Sequence, residues 1–218
     1  MKINLFRITR NFVLMMLICP LMTQGENLKT IDLPAPQMEG GMPLMQALKE
    51  RQSGRSYEDK MLPPRVLSNL LWAAFGVNRP ETGQRTAPSA MNWQELDIYV
   101  VTAEGAFLYD ALKNQLKQVL AKDIREMTGQ QPFVKTAPVN LIFVSDYSKM
   151  KGEDDGKKFL SGSHAGFVSQ NVYLFCASEG LATVIRASAD RVALAKELGL
   201  PENKRITLIQ TVGYPKKR

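Results

Sequence analysis

The stretch Gly166–Ala187 reads GFVSQNVYLFCASEGLATVIRA. Val168, Val172 and Phe175 or Cys176 fall at helical spacing on one face. Phe167, Tyr173 and Leu174 carry apolar character onto the other faces, which predicts a buried helix. Gln170 and Asn171 lie inside that run, and burial would oblige both amides to find partners within the fold. After Gly180 the pattern shortens to Ala182–Ile185, partly β-branched, as suits a buried strand. A helix delivering the chain into a strand is the spine of an α+β or α/β domain.

Beyond that spine, Asp190 is placed to cap a helix running to Leu198, with Gly199 ending it. Ile206–Val212 reads as a last strand. Before the spine, Val139–Ser145 is a buried strand, and Leu96–Ala103 alternates as another, with Gly105–Tyr109 pairing to it as a hairpin. Ala111–Met127 reads as helix, Asp146–Ser163 as a charged exposed segment and Val77–Glu95 as a polar loop. Pro63–Phe75 is a helix with Val66, Leu70 and Ala73 or Ala74 turned inward and Gly76 as its stop. Pro43–Arg51 is a shorter one with Pro43 in its first turn. Residues 26–45, with Pro34, Pro36, Gly40, Gly41 and Pro43, form an extended lead-in to a domain spanning 46–218.

The chain opens with Lys2, Arg7 and Arg10, then Phe12–Met22, apolar apart from the pause at Pro20, then Thr23-Gln24-Gly25. A basic start, an apolar middle and a small-residue exit describe a secretory signal peptide over 1–25, and predict export to the periplasm. The apolar run is short for a membrane span. Cys19 follows the bulky Ile18 where a lipoprotein signal wants a small residue, so a lipoprotein or a retained anchor is the secondary reading. Removing 1–25 takes the formal charge from +7 to +4, which suits an anionic ligand. No aromatic-interleaved basic stripe is present, which argues against a single-strand nucleic-acid surface. About 190 residues remain, enough for one domain burying roughly 70% of its unfolded surface. Cys176 is then the sole cysteine, so no intramolecular disulfide can form.

One histidine, His164, and no G-x-S-x-G turn exclude a hydrolytic triad, and packing at the start of the central helix is its expected role. One histidine and one mature cysteine cannot build a usual zinc set. Glu153, Asp154 and Asp155 lack the spacing of a calcium loop and read as a solvated face. Neither G-x-G-x-x-G nor a P-loop occurs. What stands out is basic residues at three places: Arg51 and Arg55 in one turn, Arg85 in the loop, and Lys216 to Arg218 at the end. Brought together with the Ser53 hydroxyl they would form a phosphate site.

Four motifs occur in order. Arg51-Gln52-Ser53-Gly54-Arg55 is similar to an Arg-Arg-Ser-x-Arg opening, and Arg85–Ala90 contains Ala-Pro-Ser-Ala. Gly166–Asn171 with Gly180–Arg186 matches a central helix and strand, and Gly213-Tyr214-Pro215 precedes basic residues. Together they resemble the flavin-dependent nitroreductase family, in the branch that includes the thiazole- and oxazole-forming dehydrogenases.

The resemblance implies an α+β fold with a mixed, mostly antiparallel sheet flanked by helices, and a homodimer with FMN at its interface. It implies that Arg51, Gln52 and Ser53 hold the FMN phosphate and ribityl chain, with Arg55 at the pyrimidine edge. Pro88, Ser89 and Asn92 would reach the cofactor, often from the partner subunit. Ile185, Arg186 and Ala187 would pass the ring near N5, and Lys216 and Arg218 would meet the phosphate. The sequence departs from the pattern at Gln52, which replaces the second Arg, after Gln94, where Pro is missing, and at Arg186-Ala187, where many members carry Ile-Gly. Arg186 could bind flavin or an anionic substrate, or pair with Glu179 or Asp190. The implied activity is hydride transfer from a donor such as NADH or NADPH, through FMN, to a small organic acceptor. Alternatives are a flavin-binding module without turnover and a dehydrogenase of peptide azolines. Export would favour a quinol or partner protein as donor, because nicotinamide cofactors are mainly cytoplasmic.

Overall fold

The computed structural model describes residues 28–216. The signal peptide expected over 1–25, and Arg218 among the expected site residues, lie outside them. Along the chain come β1 (Thr30–Asp32), α1 (Leu44–Glu50), α2 (Pro64–Phe75), β2 (Val77–Arg79), β3 (Gln84–Arg85), β4 (Leu96–Thr102), β5 (Gly105–Asp110) and β6 (Gln115–Leu120). They are followed by β7 (Val139–Asp146), α3 (Asp154–Ser178), β8 (Ala182–Arg186), α4 (Arg191–Glu197) and β9 (Lys204–Gly213).

Seven strands form the main sheet in the order β1-β6-β5-β4-β7-β9-β8, while β2 and β3 make a separate small hairpin. Every pairing in the main sheet is antiparallel. The central strands are apolar on both faces because both faces are covered. Ile98, Val100, Leu141, Phe143 and Val212 meet Leu70 and Leu71 of α2 and Val168 and Val172 of α3. On the reverse face Tyr99, Val101, Ile142, Val144 and Ile209 meet Ile124 and Leu194 and Leu198 at α4. Each fully buried leucine or isoleucine contributes about 1.5–3 kcal/mol to this packing. The fold is therefore α+β, as expected.

Three local readings change. Residues 111–127 form no α-helix: Asp110 Oδ1 accepts the Leu112 and Lys113 amides, both at 3.1 Å, and Asn114 sits at φ 51°. That turn sends the chain back as β6, alongside β5 on one side and β1 on the other. The exposed segment expected before the central helix is largely its first turns, since α3 begins at Asp154 and runs 25 residues. His164 therefore lies well inside α3. Nor is α3 apolar-buried all round, because Phe167 is 46% and Phe159 74% exposed. Gln170 faces solvent, and Asn171 reaches the Ala74 and Thr86 carbonyls.

The spine otherwise forms as its residues dictate. Gly180, at φ +67°, takes the left-handed turn after α3, and the Leu181 amide closes it on the Cys176 carbonyl at 2.8 Å. Asp190 caps α4 by accepting the Ala193 amide at 3.0 Å.

Candidate functional site

After α1 the chain runs along the outer edge of β8. The Gly54 amide donates to the Thr183 carbonyl at 2.9 Å. A Cβ on Gly54 would lie 2.8 Å from the Ala182 Cβ, so only glycine lets the loop approach this closely. Tyr57 Oη donates to the Gly54 carbonyl at 2.7 Å and closes the turn from beneath. The C-terminal segment then pairs with the same loop: Glu58 donates its amide to the Tyr214 carbonyl, Lys216 donates its amide to the Ser56 carbonyl, and Tyr57 bridges Pro215.

The result is a cleft of about 710 Å³ lined by Gln52, Ser53, Gly54, Arg55 and Lys216, with Glu50 its sole carboxylate. Arg51 lies next to it, its guanidinium 5.4 Å from the Tyr173 ring. Among the described residues, Arg51, Arg55 and Lys216 enter none of the ion pairs. The basic residues of two distant motifs thus converge, as a phosphate site requires.

A hydrogen-bond relay orients the serine. The Ile185 amide donates to Tyr173 Oη at 3.1 Å, and Tyr173 Oη is 2.9 Å from Ser53 Oγ. The Ile185 amide occupies one lone pair of the phenol oxygen, and the phenol hydrogen remains available to Ser53. Cys176 also lines this region, but it is buried and burial pushes its thiol well above the ordinary range, so it is inert.

The expected residues at the end of β8 divide. Ile185 contributes its amide to the relay, and Ala187 is exposed just beyond the strand. Arg186 does not meet the cleft with its side chain. Strand alternation turns it to the sheet face away from α3. There Nη1 donates to the Thr128 carbonyl at 2.7 Å, and Nη2 to Asn140 Oδ1 at 2.8 Å and Thr211 Oγ1 at 2.6 Å. It pairs with neither Glu179 nor Asp190, contrary to that expectation. Its guanidinium lies 5.7 Å from the Phe133 ring. Burial pushes its pKa down to about 10, still protonated at neutral pH.

Pro88, Ser89 and Asn92 belong to a second group. Arg85, expected among the phosphate-binding cations, instead locks this loop: Nε donates to Gln94 Oε1 at 2.9 Å and Nη1 to the Phe75 carbonyl at 3.2 Å. The Gln94 amide donates to Ser89 Oγ at 2.9 Å. Met91, Asn92 and Gln94 adopt φ of 49°, 54° and 46°. Left-handed backbone costs about 1–2 kcal/mol at a residue with an ordinary side chain, so this turn is strained. Its Ala90 amide donates to His164 Nε2 at 2.9 Å, and His164 Nδ1 lies 2.6 Å from Glu95 Oε1. The pairing of Glu95 with His164 escapes sequence reasoning, since 69 positions separate them and neither belongs to a motif.

His164 and Tyr173 mark the levels of the two groups on α3. Nine residues of helix correspond to roughly 13 Å, so the loop and the cleft stand apart within one chain.

An antiparallel sheet backed by a long helix, with a cleft lined by Arg55 and Lys216 at its edge strand, defines an α+β protein. The model of the nitroreductase family matches residues 48–214, and the chain belongs to that family. A Methanocaldococcus jannaschii protein bearing the nitroreductase name is 32% identical over 167 residues, covering 71% of this chain and 83% of its own. A crystal structure from Ralstonia eutropha JMP134, likewise assigned as a nitroreductase, superposes with TM-score 0.83 at 40% identity, over 87% of this chain and 90% of that one. The Escherichia coli microcin synthetase complex contains a chain of the same fold, with TM-score 0.69 and 20% identity over 95% of this chain and 85% of that one. The protein is an oxidoreductase of the nitroreductase family, whose members depend on FMN.

Proposed function

We propose that this chain binds FMN with its phosphate in the 710 Å³ cleft, takes a hydride from NADH or NADPH, and passes electrons to a small organic acceptor. The observation that carries the reading is the convergence of Gln52, Ser53, Arg55 and Lys216 on that one cleft, with Ser53 Oγ held 2.9 Å from Tyr173 Oη. These groups fit the cofactor: cations without an ion-pair partner among the described residues and a hydroxyl meet a phosphate dianion. When bound, the flavin supplies the hydride and electron transfer. The protein's part is to bind and orient. Arg51 and Arg55 would offer guanidinium forks to the phosphate, and the Tyr173 relay would hold the serine beside it.

The functional unit in this reading is a homodimer. Phe159, Ser163, Gly166, Phe167 and Gln170 form an open stripe on α3, and an added Cβ on Gly162 or Gly166 would meet nothing. Two copies of α3 crossing antiparallel near residues 168 and 169 would bring His164 of one copy level with Tyr173 of the other. The Ser89–Asn92 turn would then complete the cleft of the partner. This explains why one chain separates its two groups by roughly 13 Å. Export on residues 1–25 predicts a mature N-terminus at Glu26, and in an exported protein a quinol or partner protein would replace the nicotinamide as donor.

The test is the visible absorption spectrum of protein from Glu26 onward, reconstituted with FMN, before and after anaerobic NADPH. A bound flavin band that bleaches is the expected result. A band that persists overturns NADPH as donor, and no retained flavin overturns the site.

A further inference from the structure

The turn Ser89–Gln94 is fastened to α3 at both of its ends through one buried pair. At its start the Ala90 amide donates to His164 Nε2 at 2.9 Å. At its end Glu95, the very next residue, sets Oε1 2.6 Å from His164 Nδ1. His164 is 3% and Glu95 0% exposed. The remaining anchors of the turn come from other loops or from within it: Ser89 to Gln94, Arg85 to Gln94, and Lys149 to the Gln94 carbonyl. His164 alone among them ties it to the helix that also carries Tyr173.

The chemistry of the pair admits one arrangement. A backbone amide can only donate, so Nε2 must present its lone pair to Ala90, and the ring hydrogen resides on Nδ1. Glu95 accepts that hydrogen and so holds the tautomer. Glu95 Oε2 has no hydrogen-bond partner among the described residues. A fully buried carboxylate with one oxygen unsatisfied is unfavourable for stability alone, and points to a role.

We propose that Glu95 and His164 are positioning residues for the flavin site: the carboxylate fixes the imidazole, the imidazole fixes the Ala90 amide, and the strained Met91–Gln94 backbone is thereby held where Ser89 and Asn92 meet the cofactor. This rests on the reading of that turn as a flavin-facing segment. One helix then serves as a common ruler, registering the turn through His164 and the Ser53 hydroxyl through Tyr173.

Three variants separate positioning from packing. Glutamine carries its terminal amide to the reach of Nε2, so His164→Gln keeps an acceptor for Ala90. Asparagine reaches only the Nδ1 level, so His164→Asn loses it. Ala90→Pro removes the donor and sets a ring carbon against His164 Nε2, so it breaks the same link from the side of the turn. FMN affinity, by flavin fluorescence titration, is expected to fall about tenfold in His164→Asn and Ala90→Pro and to stay within about twofold in His164→Gln. Hydrogen exchange at the Ala90 amide of FMN-free protein is expected to be slow in wild type and His164→Gln, and about a hundredfold faster in His164→Asn. Wild-type affinity together with a protected Ala90 in His164→Asn overturns the proposal. Equal loss of affinity in both His164 variants also overturns it, by assigning the pair to packing. If wild type itself binds no FMN, the flavin reading falls, and Ala90 exchange still decides whether the pair holds the turn.

Discussion

Tyr173 joins three parts of the chain with one hydroxyl: its own helix, the Ile185 amide on β8, and Ser53 in the cleft. Removing that hydroxyl leaves the ring packed and leaves Ser53 free to turn its proton elsewhere. Tyr173→Phe is therefore expected to weaken FMN binding about fivefold, matching the ~1 kcal/mol of one net hydrogen bond, with melting barely changed. Arg186→Lys should do the reverse. A lysine ammonium cannot span Thr128, Asn140 and Thr211, so stability should fall by about 2–3 kcal/mol while FMN affinity stays within about twofold. Thermal melts and fluorescence titrations of the two variants give the crossed result or refute it. At this scale the basic loop that lines the cleft was legible because its chemistry is local, with cations, hydroxyl and glycine inside five residues. Arg186 was not, because its acceptors come from three separate segments that only the folded sheet assembles.

Among the elements, α3 carries the most information and was only half visible. Its C-terminal turns are apolar at helical spacing, whereas Asp154–Ser163 carries charge and glycine that look like loop. The strands Leu96–Thr102, Val139–Asp146 and Lys204–Gly213 were plain because β-branched residues crowd them. β6 was hidden: Gln, Leu and Lys favour helix, and the Asp110 turn with the flanking strands overrides that preference. The open stripe of α3 makes its own prediction. Phe167→Glu should convert a dimer to monomer in sedimentation velocity and lose FMN in the same step. A dimeric Phe167→Glu protein would remove α3 from the interface.

The molecule as a whole responds to alkali through its buried phenols. Burial pushes Tyr109 up to about 12, and raises Tyr57 and Tyr99 as well. Unfolded tyrosine gives up its proton near pH 10 while these folded ones keep theirs, so the unfolded state binds fewer protons and stability falls as pH rises above 10. Tyr109 alone contributes about 3 kcal/mol that is lost by pH 12. Arg186, whose pKa burial pushes down, acts in the opposite sense, which moderates the loss without reversing it. Tyrosinate absorbance from these three should therefore appear together with loss of circular dichroism, and titration near pH 10 in folded protein would contradict the assignment. The seven-strand sheet also has two outer borders, one short and one covered. β1 is three residues long, and on β8 the Thr183 carbonyl and Ile185 amide are taken by Gly54 and Tyr173. The loop that lines the cleft is thus also the guard of an edge that could template another chain. A side chain at Gly54 would displace that guard, so the cost of losing the cleft is paid in strand-to-strand polymerisation as well as in lost ligand.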